Sequence, residues 1–145
     1  MTTTAFLQTR QSARIINGVH TEVLVTGFRD KILVLVTQYG KIGSLLHVTM
    51  QSQTMTTSDT LSSSSNNVNF LLGSHSPLYQ LYATNFSTII SSENPNEGRS
   101  LLIGLALKVN KKNNNNNNDN IDDEFEFDKE LFEQVELMVK ECKVW

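Results

Sequence analysis

At 145 residues and 16.3 kDa, with 39% hydrophobic and 19% charged residues, the chain suits one domain with one core rather than two. No stretch approaches the roughly 18 uncharged apolar residues of a membrane-spanning helix, and the single cysteine, Cys142, excludes an internal disulfide framework and suits a reducing compartment. The net charge of −3 is split: residues 1–118 carry +4 and residues 119–145 carry −7. An acidic end repels phosphates, and the positive excess elsewhere forms no basic stripe with interleaved aromatics, so neither nucleic acid nor membrane is expected as a partner.

The termini carry two weak signals. Residues 1–14 include Arg10 and Arg14 with no acid before Glu22, a faint likeness to a transit peptide, but they lack the apolar run of a secretory signal and read as a lead-in to the first strand. Cys142-Lys143-Val144-Trp145 has the outline of a prenylation box, with Lys143 where an aliphatic residue belongs and a poor final residue in Trp145. A terminal Trp carries a large apolar surface, so Trp145 is expected to dock against the sheet or the first helix.

In chain order, Arg14 to Ile16 leads into Asn17-Gly18, a strong hairpin signal because both residue types tolerate positive φ. The following strand, 19–28, alternates Val19, Thr21, Val23 and Val25 with His20, Glu22, Leu24 and Thr26. Strand 31–38 centres on Ile32 to Val36, and Tyr39-Gly40-Lys41-Ile42-Gly43 is a glycine-bracketed turn into strand 44–50. Such short links predict a four-stranded antiparallel meander, since a parallel return needs a dozen or more residues. Residues 51–67 form a polar loop with ten Ser/Thr among 17 residues. A short strand, 68–72, follows. Ser76-Pro77 then starts a helix, Ser as N-cap and Pro at the first helical position. Its apolar stripe reads Leu78, Leu81, Tyr82, Phe86, Ile89 and Ile90, and Asn94-Pro95 ends it. A sixth strand covers 100–109. An Asn-rich linker, 110–120, precedes a last helix over 129–141, capped by Asp128 and striped by Leu131, Phe132, Val135, Met138, Val139 and Cys142. The 1–145 chain therefore reads as one α+β domain: an antiparallel sheet of about six strands with two helices on one face, order βββββαβα, closed by the helix and tail at 128–145.

Catalytic and metal signatures are sparse. His20, His47 and His75 have no metal-ligand spacing, and Cys142 sits on an apolar helical stripe. Gly40-Lys41 lacks the glycine of a phosphate loop five positions upstream, where Leu35 stands, and it joins two strands. Asp122, Asp123, Glu124 and Glu126 lack the spacing and glycine of a calcium loop. No catalytic residue, cofactor or metal is expected. The informative oddity is elsewhere. Strands 31–36 and 101–109 are apolar on both parities, Ile32/Val34/Val36 against Leu33/Leu35, and Leu101/Ile103/Leu105/Leu107 against Leu102/Ala106. Such strands are buried on both faces, yet two helices cover only one. A second sheet stacked on the other face supplies the cover; which parity faces it is open at this level, so Val34 and Leu35 are both candidate contacts.

Thr37-Gln38-Tyr39-Gly40-Lys41-Ile42-Gly43 after an apolar strand, Leu71-Leu72-Gly73 before the Pro77-Leu78 helix start, Arg99-Ser100-Leu101-Leu102-Ile103-Gly104-Leu105-Ala106-Leu107-Lys108, and the terminal Cys142-Lys143-Val144-Trp145 together resemble the proteasome assembly chaperone 3 family. The likeness spans about residues 10–109 and 129–145. It implies a non-enzymatic, cytoplasmic chaperone that pairs with a related chaperone, the fourth member of the set, through stacked sheets. It further implies binding to α-type subunits of the proteasome core particle, help in ordering the α-ring, and release before the particle matures. A homodimer is a further possible state. Gln38, Tyr39 and Lys41, at the rim of the glycine turn, are the candidate partner contacts there. The alternatives are a dimeric scaffold in another cytosolic complex and a small hydrolase using Cys142 or a Ser. One consequence needs no fold: residues 113–118 are all Asn, with nothing apolar to bury. Deleting them should leave the melting temperature within a few degrees, and a collapse in stability would show that the run packs.

Overall fold

The computed structural model describes residues 7–50, 67–108 and 127–145. The expectations for most of the Ser/Thr-rich loop, for the Asn-rich linker and for the Asp122 to Glu126 cluster lie outside the described residues. Six strands and two helices follow one another as β1 (Gln8–Ile16), β2 (Val19–Gly27), β3 (Lys31–Thr37), β4 (Ser44–Thr49), β5 (Asn67–Leu72), α1 (Pro77–Glu93), β6 (Ser100–Ala106) and α2 (Lys129–Glu141).

Local chemistry sets the element ends. Asn17 (φ 51°) and Gly18 (φ 75°) both take positive φ and close the β1–β2 hairpin with Ile16 opposite Val19. Ser76 accepts a hydrogen bond from the Tyr79 amide at 3.3 Å, and Asp128 accepts one from the Leu131 amide at 3.0 Å, so each helix begins on its cap. Beyond α2 the tail turns back: Trp145 donates from Nε1 to Glu93 at 2.9 Å, and Lys143 reaches the same carboxylate at 3.1 Å. Trp145 thus docks at the end of α1.

The sheet runs β1-β2-β3-β6-β4-β5, which corrects two expectations. The meander stops after three strands, because β6 lies between β3 and β4. The sheet is mixed, because β6 pairs in parallel with β3, Lys31 opposite Ser100 through Thr37 opposite Ala106, while remaining antiparallel to β4. The physical reason is burial. Among the described strands β6 is buried most completely, with Leu101, Ile103, Gly104, Leu105 and Ala106 all buried, so it takes a central position. Its route there is a β5–α1–β6 crossover, which supplies the length a parallel return requires. The link between β3 and β4 is then not a hairpin. It spans two strand spacings, about 10 Å, which a six-residue segment reaches without strain.

Both helices lie on one face, α1 over β4, β5 and β6 and α2 over β1 and β2. Beneath them pack Val23, Val25, Ile32, Val34, Val36, Leu46, Val48, Leu101, Ile103 and Leu105. The helices contribute Tyr82, Phe86 and Ile90 from α1 and Leu131, Val135, Met138 and Cys142 from α2. The Tyr82 and Phe132 rings meet at 4.9 Å where the helices touch. Leu81 departs from its expected stripe: it is exposed, and Ala83 and Ser87 are buried instead. At the turn before β6, Glu97 is buried and takes Arg99 Nε at 2.7 Å and Nη2 at 3.0 Å, while Arg99 Nη1 donates to the Phe28 carbonyl at 3.1 Å. This pair locks the α1–β6 turn to the β2–β3 turn.

Two predictions come from this geometry. A Cβ at Gly43 (φ 70°) would stand 2.2 Å from the Leu105 carbonyl oxygen, whereas one at Gly40 (φ 67°) would meet nothing within 4 Å. In urea denaturation Gly40→Ala should cost only the left-handed backbone penalty, about 1–2 kcal/mol, and Gly43→Ala clearly more; equal costs would mean that the crossing does not press on β6. The second concerns pH. Hydrogen bonds from the Arg99 guanidinium hold the Glu97 carboxyl below its ordinary value of 4.5. A depressed folded value means stability present above the unfolded value and lost as pH falls through the folded one. Glu97→Gln should therefore cost about 1–3 kcal/mol at neutral pH, with the gap from the parent closing below pH 4.5. A pH-independent gap would contradict the ionic role.

Candidate protein-interaction face

The register assigns every strand residue to a face. Val34 is fully buried opposite Val25 and Ile103 on the helix side, so the open choice of parity resolves with the Leu33/Leu35 set on the side without helices. Two cross-strand rows make up the centre of that side. Leu24, Leu35, Gly104, Leu45 and Leu72 are successive partners across β2, β3, β6, β4 and β5. Thr26, Leu33, Leu102, His47 and Asn69 form the adjacent row. Leu24, Leu33, Leu35, Leu45 and Leu102 are each half-buried and Leu72 is exposed, and among the described residues no helix or strand lies over them. Toward β1 the face becomes polar and forms a hollow of about 340 Å³ lined by Gln11, Ala13, Glu22, Leu24, Leu35 and Thr37, among others.

Gly104 explains how the β3–β4 crossing is tolerated. A Cβ there would stand 2.6 Å from Leu35 Cδ2 and 3.0 Å from Ile42 Cγ2. The crossing segment therefore lays Ile42 on the glycine, and Ile42, 55% exposed, extends the apolar row. A glycine inside a strand often marks such a close approach, and this signal in Arg99 to Lys108 was available in the sequence. Leu24, alone and apolar on the polar parity of β2, was a second one.

The glycine turn sorts its residues by role. The Thr37 hydroxyl accepts from the Tyr39 and Lys41 amides, both at 3.1 Å, and shapes the turn. Gln38 does not stand out at the rim. Its amide donates to Thr21 Oγ1 at 3.0 Å, its side-chain oxygen accepts from the Lys108 amide at 2.8 Å, and its own backbone amide donates to the Ala106 carbonyl at 2.8 Å. It ties β2, β3 and β6 together where β6 ends. Tyr39, 52% exposed, and Lys41 are presented outward, as is Ile42 on the leucine side.

Cys142 is poorly placed for nucleophilic chemistry. Cys142 is 2% exposed, and burial pushes its thiol up, away from the reactive thiolate. His20 pairs with Glu22 at 3.0 Å, His75 lies with its ring 4.6 Å from that of Phe70, and His47 stands on the uncovered face. Among the described residues no group of three or more His, Cys, Asp or Glu could hold a metal ion, and no helix among them is long and apolar enough to cross a membrane.

Comparison with known proteins adds to this geometry. The family model described as proteasome assembly chaperone 3 matches residues 34–117, from the middle of β3 past the end of β6. Curated proteins of that name are similar over most of the chain. The one from Nematostella vectensis is 34% identical over 103 residues, covering 68% of this chain and 74% of the relative. The one from Homo sapiens is 32% identical over 108 residues, covering 74% and 84%. The one from Bos taurus is 31% identical over 139 residues, covering 96% and 95%.

Proposed function

Because the chain belongs to the proteasome assembly chaperone 3 family, we propose that it serves proteasome assembly as one half of a sheet-stacked pair of chaperones, closed over the uncovered face. The observation that carries this reading is the row Leu24, Leu35, Leu45 with Leu33 and Leu102 beside it, left uncovered among the described residues, whose two helices both lie on the other side. A contiguous apolar patch on a sheet calls for a partner, and a second sheet at about 10 Å buries it without new secondary structure. A leucine moved from exposed to buried contributes about 1.5–3 kcal/mol; half that per residue over five residues is about 4–8 kcal/mol from this side, and the partner's own apolar face must add to it to offset an association cost of about 4–15 kcal/mol.

The partner in this reading is a related chaperone of similar fold, the fourth member of the set, with a homodimer as the competing state. The clients are α-type subunits of the core particle, held while the α-ring assembles and released before maturation in the cytoplasm. The family is one of chaperones, not enzymes, and the buried Cys142 supports a role without catalysis. Affinity purification from dividing cells with mass spectrometry tests the reading: recovery of α-type subunits together with a second small chaperone is expected, and recovery of an unrelated cytosolic complex without them overturns it.

Charge substitution separates the two faces. Leu35→Asp should leave the circular dichroism spectrum intact and abolish pairing in light scattering, because the leucine faces outward. Val34→Asp places an unpaired carboxylate beneath the helices and should unfold the chain, a cost of several kcal/mol. Two folded monomeric variants would contradict the assignment of faces.

A further inference from the structure

A second feature stands apart from the apolar face, at the end of the sheet where the β3–β4 crossing meets the β5–α1 turn. An open groove of about 330 Å³ is lined there by Tyr39, Lys41, Gly73, Tyr79, Ala106 and Leu107, among others. Lys108 holds its ammonium 5.5 Å from the centre of the ring of Tyr39, a groove residue, in a cation–π arrangement. Neither Lys41 nor Lys108 forms an ion pair among the described residues, although Lys31, Lys129, Lys140 and Lys143 all do. Asp128 shares a small hollow with Lys108. Its carboxylate is already engaged by the Leu131 amide and Asn17 Nδ2, both at 3.0 Å. The Tyr79 hydroxyl accepts from the Leu107 amide at 3.1 Å, and its own hydrogen has no acceptor among the described residues. Among the described residues no carboxylate lines the groove.

The arrangement is complementary to negative charge on an extended chain. Lys41 in the groove, Lys108 against its Tyr39 ring and the Tyr79 hydroxyl have no acidic partner among the described residues, and Gly43 and Gly73 line the groove without side chains. We propose that this groove binds an acidic segment of the protein client, its Asp or Glu carboxylates on Lys41 and Lys108 and its backbone against Tyr39. The proposal rests on the reading that the chain chaperones proteasome subunits, and it gives the two surfaces different tasks: the leucine face holds the companion chaperone, and the basic groove holds the client. A rim of exposed charges steers encounter and sets specificity more than it adds affinity, which suits a client that must later be released.

The test uses the full chain and two probes. Fluorescence anisotropy is read with a labelled Glu/Gly peptide, with the matching Gln/Gly peptide and labelled oligo(dT) as controls. Capture of purified proteasome α-type subunits is read in parallel. The Glu/Gly peptide should bind, and added salt should weaken it. Lys41→Glu and Lys108→Glu should each weaken it about tenfold with unchanged melting temperatures, since both side chains are exposed. Arg29→Glu, an exposed charge in the β2–β3 turn, should change nothing. Equal loss in Arg29→Glu, no preference over the Gln/Gly peptide, or tighter binding of oligo(dT) overturns the proposal. So does undiminished capture of α-type subunits by both lysine variants, which leaves the chaperone reading intact. Failure of the parent chain itself to capture any α-type subunit contradicts that reading, and with it the client assigned to the groove.

Discussion

The structure depends on how one very apolar strand is covered. β6 carries leucine or isoleucine at 101, 102, 103 and 105 and small residues at 104 and 106, so neither of its faces is suited to water. It takes a central place in the sheet, reached through the α1 crossover, and forces the β3–β4 link to step over its end. Helices α1 and α2 close one side. They cannot close both, because each lies over a different half of the same face. Among the described residues, the fold that covers β6 from one side therefore leaves Leu33, Leu35 and Leu102 half-exposed on the other.

The crossing segment links this constraint to function. Gly43 and Gly104 exist because backbone and side chains pass too closely for a Cβ: the Leu105 carbonyl presses on the first, and Ile42 lies on the second. Gln38 then bonds to β2 through Thr21 and to β6 through the Ala106 carbonyl and the Lys108 amide. A residue that looks like a rim contact is spent on holding the topology, and its neighbours Tyr39 and Lys41 are thereby held outward. The segment contributes to two surfaces, Ile42 to the leucine face and Tyr39 with Lys41 to the basic groove.

What could be read from the chain was whatever local chemistry decides. Asn17-Gly18, Ser76-Pro77 and Asp128 each fix an element end through their own backbone or side-chain preferences, and all three act as expected. The α2 stripe was legible because its polar side is strongly charged. α1 has uncharged Gln, Thr, Asn and Ser on its outer side, so no charge in the sequence separates Leu81, which faces out, from the buried stripe. Strand order was illegible for a different reason. Short links favour sequential pairing, and the insertion of β6 is a non-local outcome that six intervening residues do not announce. Parity on β3 was undecidable because both sets are apolar; only the pairing of Val34 with Val25 and Ile103 assigns it to the helix side.

Stacking of two sheets across the leucine face is the interaction on which the proposed function rests. Sedimentation velocity of the full chain at micromolar concentration, alone and mixed with its related chaperone, tests it most directly. A species of two-chain mass in at least one of the two samples is the predicted result. A single monomeric species in both would contradict the account, since the apolar row across β2, β3, β6 and β4 would then be tolerated bare in water.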